Sequence, residues 1–165
     1  MAYDVDWAEK GLLKLHVRKF LLYPDYWKDP ANNINQGLSW KKYKFNKSNL
    51  TKIPNSKGIY CFVTIPKMSN FLDTRYLFYV GKTSRTLKIR FSEYLRDLEG
   101  KGKPRSKIYE MLNLYNNYLH FFYAEIQLDS DIDEIEEKLI NTFVPHINTD
   151  VPKAKVNPEL KDIYV

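Results

Sequence analysis

The stretch GIYCFVTIPKMSNFLDTRYLFYVGKTSRTLKIRFSEY, residues 58–94, decides the fold. Two runs rich in β-branched and aromatic residues, GIYCFVTI (58–65) and RYLFYV (75–80), read as short strands. They pair as an antiparallel hairpin across the loop PKMSNFLD (66–73). Small polar residues then open a helix over about 85–98, with Ser84 as its N-cap. At ~100° per residue, Leu87, Phe91, Tyr94, Leu95 and Leu98 share one face, and Arg90 and Asp97 lie along its edge. Tyr60 and Tyr79 in the strands, with Lys82, Arg85 and Arg90 close behind, bring two phenols and three cations together. That combination describes an anion site carried on a hairpin and the helix after it.

Downstream, Gly100 and Gly102 end this helix in the basic loop GKGKPR, and Ser106 caps a second one with Ile108, Met111, Leu112 and Tyr115 inward. The aromatic run LHFFYAEIQL (119–128) reads as a central strand. Asp129, Ser130 and Asp131 open a last helix over about 131–143, their acidity matching its positive N-terminus. There Ile132, Ile135, Leu139, Ile140 and Phe143 form one apolar arc, and Glu136 falls inside it. A carboxylate on a buried face is costly unless it is paired or holds a metal. Turning outward, or pairing with an internal Arg, satisfies it on this pattern alone. The tail 149–165 reads as an ordered strap or a frayed end.

Upstream, Trp7, Leu12, Leu13, Leu15, Val17 and Phe20 to Leu22 suggest a helix over 4–22, and NNINQG (32–37) a loop. The segment WKKYKFNK (40–47) supports two readings. One is a strand that stacks bases and tracks phosphates through Lys41, Lys42, Lys44 and Lys47. The other is an edge strand with Tyr43 and Phe45 inward and lysines outward, which discourages edge pairing.

At 165 residues and 44% hydrophobic, the chain is expected to form one domain with an appendage. It has no run of 18 apolar residues to span a membrane, and Asp4, Asp6 and Glu9 contradict a signal peptide, so a cytoplasmic protein is expected. A lone cysteine, Cys61, excludes an internal disulfide and a Cys-rich zinc site, and His16, His120 and His146 are too dispersed to hold zinc. A net charge of +6 favours an anionic partner.

The triplet Gly58-Ile59-Tyr60 and the run Tyr79-Val80-Gly81-Lys82, followed by Arg90, Tyr94, Glu136, Pro145 and Asn148, resemble the signature of the GIY-YIG nuclease superfamily. The segment EEKLINTFVPHIN (136–148) is similar to the corresponding run of the bacterial excision-repair nuclease domain. The spacing from Tyr79 to Arg90 is one residue longer than in those repair enzymes. The resemblance implies an α/β (α+β) fold, a three-stranded antiparallel sheet flanked by helices over 58–148. An N-terminal extension, 1–57, and a tail, 149–165, lie outside it. It further implies a metal-dependent endonuclease acting on DNA, with Glu136 holding Mg²⁺ or Mn²⁺ and Arg90 clamping the phosphate. Tyr60 or Tyr79 would orient or deprotonate the water with Lys82 as the neighbouring cation, Tyr94 would assist proton transfer, and Asn148 would support the site. An outward-pointing Arg85, with Lys88, Lys101, Lys103, Arg105 and Lys107, is expected on the DNA backbone. A homodimer is expected if both strands are cut. The chain looks most similar to small restriction-type or phage-type members. The alternative is a nucleic-acid-binding module that kept the fold and lost catalysis.

Overall fold

The computed structural model describes residues 16–22, 24–25, 37–66, 73–151, 153 and 155–164. Most of the helix expected over 4–22, including Trp7, and most of the hairpin loop lie outside these residues, as does Trp27. Four strands form one antiparallel sheet: β1 (Lys41–Lys44), β2 (Gly58–Thr64), β3 (Tyr76–Thr83) and β4 (Leu119–Glu125), in spatial order β1-β4-β2-β3. The expected three strands thus gain a fourth from the N-terminal extension. It is an edge strand, with Tyr43 half-buried and Phe45 fully buried just beyond it, which matches the blander reading of 40–47.

Helices α1 (Leu87–Leu98) and α2 (Ser106–Tyr115) cover one face of the sheet. Between them and the strands lie Phe45, Tyr60, Phe62, Phe91, Phe121 and Leu112, a core built largely of edge-to-face aromatic rings. Helix α3 (Asp129–Phe143) covers the other face, where Ile132, Leu139 and Ile140 pack on Ile59, Cys61 and Val80. Val156 and Leu160 are buried in the same layer, so the C-terminal segment is a strap. Val144 ends α3 in the left-handed conformation (φ 43°), costly for a β-branched residue. The short α4 (His146–Thr149) follows at once and sets Ile147 into the first core.

Several local expectations shift. Helix α1 begins at Leu87 because Thr86, not Ser84, caps it, its hydroxyl accepting from the Ile89 N–H at 3.1 Å. Ser106 is the first residue of α2 rather than its cap. On α3 the apolar face is rotated: Thr142 is buried, whereas Phe143 is exposed.

One irregularity sets the site. Phe62 pairs with Tyr79 and Val63 with Leu77, so Phe78 is an extra residue, a β-bulge. Strict alternation would put Tyr79 on the face of Leu77. The bulge turns it to the other face, beside Tyr60 and Tyr94, with ring centroids 6.2 and 6.5 Å apart.

Candidate active site

Both triplet glycines are required sterically. A Cβ on Gly58 would collide with the backbone carbonyl of Ala124 on the neighbouring strand. A Cβ on Gly81 would come within 2.5 Å of the Tyr60 ring, which lies across it. Tyr60 is thereby held flat against β3, fully buried and stacked on Phe121.

The Tyr60 hydroxyl meets Tyr94 Oη at 3.0 Å and accepts from Arg90 Nε and Nη2 at 3.3 and 3.2 Å. Arg90 Nη2 also donates to Tyr94 Oη at 3.2 Å. Burial pushes both phenols well above their ordinary range, and neighbouring phenols add to this, outweighing the Arg90 charge. Tyr60 and Tyr94 are therefore neutral donors and acceptors, not phenolates. Burial alone would weaken the charge on Arg90, but Tyr60, Tyr94 and Glu93 more than compensate and keep it a permanent cation.

Lys82 is not the cation beside these tyrosines. Alternation along β3 sends it to the opposite face, where its ammonium lies 2.8 Å from Asp133 and 2.7 Å from Glu136. Those two bonds raise its affinity for its proton against partial burial, and Lys82 in turn holds Asp133 below the usual carboxylate range. Glu136, mostly shielded, is thus paired, though with a lysine rather than an arginine.

Tyr79 has a different cation. Its hydroxyl accepts from Arg105 Nη2 at 3.2 Å, and the same guanidinium overlies its ring. Arg105 was expected only as a backbone contact. Arg85 does not simply point outward: it shares Glu93 with Arg90, at 2.8 and 2.6 Å. Asn148 is buried, accepting from the Val80 N–H and donating to the Val80 carbonyl, both at 2.8 Å. It completes the β3 edge as a strand residue would, and so braces the segment between Tyr79 and Lys82.

A cleft of about 360 Å³ opens where the β3–α1 turn faces the start of α3, lined by Lys82, Arg85, Arg90, Asp129 and Asp133 among others. It brings Arg90, from the tyrosine face, and Lys82, from the carboxylate face, to one opening at the sheet edge. A more apolar cavity of about 390 Å³ lies between Phe20 to Leu22 and the sheet at Cys61 and Phe122, away from both clusters.

The remaining expected contacts are scattered. Lys101 pairs with Glu99, Lys107 with Asp150, Lys41 with Glu125, and Lys42 overlies Phe122. Lys88, Lys103, Lys44 and Lys47 show no ion pair among the described residues. Glu93 and Asp133 were not anticipated. Glu93 lies three residues from Arg90 on its helix, a spacing that marks the pair, whereas Asp133 meets Lys82 only across the packing of α3 on β3.

Among protein-family models, the one for the GIY-YIG catalytic domain matches residues 56–148. Searches of curated proteins and of solved structures return no match. The matched residues span both triplets, the bulged hairpin, Arg90, Glu136 and Asn148, which is more than half of the sequence, and the chain belongs to the GIY-YIG nuclease superfamily.

Proposed function

We propose that this protein is a divalent-metal-dependent endonuclease that hydrolyses DNA phosphodiester bonds at the cleft beside Arg90. The observation that carries the reading is that Arg90, held by the buried tyrosines on one face of the sheet, and Lys82 with Asp133, from the carboxylate cluster on the other, line one cleft. Family membership implies nuclease-type chemistry, and the net charge of +6 suits a polyanionic substrate.

A scissile phosphate in the cleft meets the guanidinium of Arg90, which offsets the negative charge that grows as water attacks. Tyr60 and Tyr94, held neutral by burial, fix the plane of that guanidinium. The phenol left to orient the water is Tyr79, whose oxygen already accepts from Arg105. Asp133 and Glu136, one turn apart on α3, converge on a single cation, the Lys82 ammonium, so their field suits a hard cation with carboxylate and water ligands. Glu136 would hold the Mg²⁺ or Mn²⁺ ion, which when bound supplies a Lewis-acid charge to a phosphate oxygen. Lys82 then stays with Asp133 and remains charged.

The test is plasmid cleavage with Mg²⁺, scored for nicking or linearisation, with Glu136→Gln alongside. The parent is expected to cut and Glu136→Gln to bind DNA without cutting. Because Asp133 still neutralises Lys82, the variant should melt within a few degrees of the parent. Undiminished Mg²⁺-dependent cleavage by Glu136→Gln rejects its role. Binding without cleavage by the parent itself leaves the non-catalytic module as the correct reading.

A further inference from the structure

The guanidinium of Arg90 has little left to offer a substrate. Nε and Nη2 are taken by Tyr60 and Tyr94, and Nη1 donates to Glu93 Oε2 at 2.6 Å. A bidentate phosphate clamp needs two parallel donors. Those on the tyrosine side are closed, because both phenols are buried in the aromatic core.

The other side is open to exchange. The Glu93 side chain is 33% exposed and lies on the same helix face as Arg90. Its Oε1 accepts from Arg85 Nη1 at 2.8 Å and its Oε2 from Arg85 Nη2 at 3.1 Å. Both arginines line the cleft. A planar anion bridging two guanidinium groups at a cleft mouth has the charge sign and acceptor geometry of a phosphate in the same place. The two arginines overcome the partial burial of Glu93 and hold its carboxyl below the usual range, so it stays ionised near neutral pH.

From this geometry, and resting on the nuclease reading above, we infer that Arg85 and Arg90 together form a seat for a DNA backbone phosphate, and that Glu93 fills that seat until substrate displaces it. Glu93 is then a positioning residue with two effects. It keeps two adjacent cations aligned in the free protein, and it makes every phosphate compete with a built-in carboxylate. Weak encounters with DNA are penalised, and only a phosphate also held by other contacts wins the arginines.

The two roles of Glu93 separate in a binding measurement. The probe is a fluorescein-labelled DNA duplex followed by anisotropy in EDTA, so that no strand is cut. Glu93→Gln preserves side-chain shape but removes the competing charge, and its Kd should fall about tenfold. The gain should vanish in Arg85→Ala/Glu93→Gln, which lacks half the seat. Glu93→Ala, a second route to free arginines, should also tighten binding. A purely structural role moves the other way, since a disturbed helix binds more weakly. If neither Glu93 variant binds tighter, or if the gain survives without Arg85, the seat is overturned while parental cleavage still supports the nuclease. If the parent neither binds the duplex nor cuts plasmid, the nuclease reading fails and the seat with it.

Discussion

Tyr60 lies across Gly81, and this single contact links the two triplets of the family signature. The ring fills the space a side chain would need, with its hydroxyl on Arg90 and Tyr94. Gly81→Ala must push the ring aside or bend β3, and overpacking of this kind costs ~1–3 kcal/mol. The same displacement moves the hydroxyl that holds Arg90, and misplacing a positioning group by ~1 Å can cost ~10²-fold in rate. Denaturant melts and single-turnover cleavage of Gly81→Ala should show both losses. Parental values in both would mean that Tyr60 is not wedged over Gly81. Tyr79, the other signature phenol, is paired instead with Arg105, which lies outside the signature.

At the scale of elements, the turn from α3 into α4 braces the site from behind. The left-handed Val144 reverses the chain so that Asn148 reaches the backbone of Val80 and Ile147 enters the aromatic core. His146 lies in this turn. Partial burial, with Lys107 and Arg18 nearby, lowers its pKa from 6.5 to about 4. Protonation therefore favours the unfolded chain. The stability contributed by neutral His146 is complete above 6.5 and is lost as pH falls from there towards about 4. Its half-buried ring reduces the effect to ~1–2 kcal/mol. Urea denaturation across this range should show a shallower decline for His146→Asn than for the parent. Parallel profiles would place the acid sensitivity elsewhere.

Across the whole molecule, positive charge is spread rather than gathered in one arm. Alternation along β1 puts Lys41 and Lys42 on opposite faces of the sheet, and Lys41 is already paired with Glu125. Replacing Lys41, Lys42, Lys44 and Lys47 by Ala should still weaken duplex binding for all sequences. The log–log salt slope should fall by about two to three rather than by the full ~0.9 per lysine. Cleavage at saturating DNA should hardly change, since no group lining the cleft is touched. An unchanged salt slope would mean that β1 serves the fold alone. No helix among the described residues is long and apolar enough to cross a membrane.

The hairpin, the helix with Leu87, Phe91, Tyr94 and Leu95 inward, and the acidic start of α3 were legible from residue order, because period and end chemistry are local properties. So was the anomaly of Glu136, a carboxylate at a position where apolar neighbours recur. Its partner was not legible, because Lys82 and Glu136 meet only when α3 packs on β3. The bulge at Phe78 was equally hidden. Phe78 and Tyr79 are both aromatic, so the pattern of β3 reads the same in either register, and only pairing with β2 decides which face Tyr79 takes. Arg105 with Tyr79, and Arg85 with Glu93, depend on where a loop and the turn before α1 come to rest, which packing sets, whereas Arg90 with Glu93 follows from i, i+3 spacing on one helix. Residue types and spacing determined the family and marked the candidate site residues. Register and long-range packing decided which cation Glu136 and Tyr79 face, because Lys82 with Glu136 and Arg105 with Tyr79 join residues far apart in the chain.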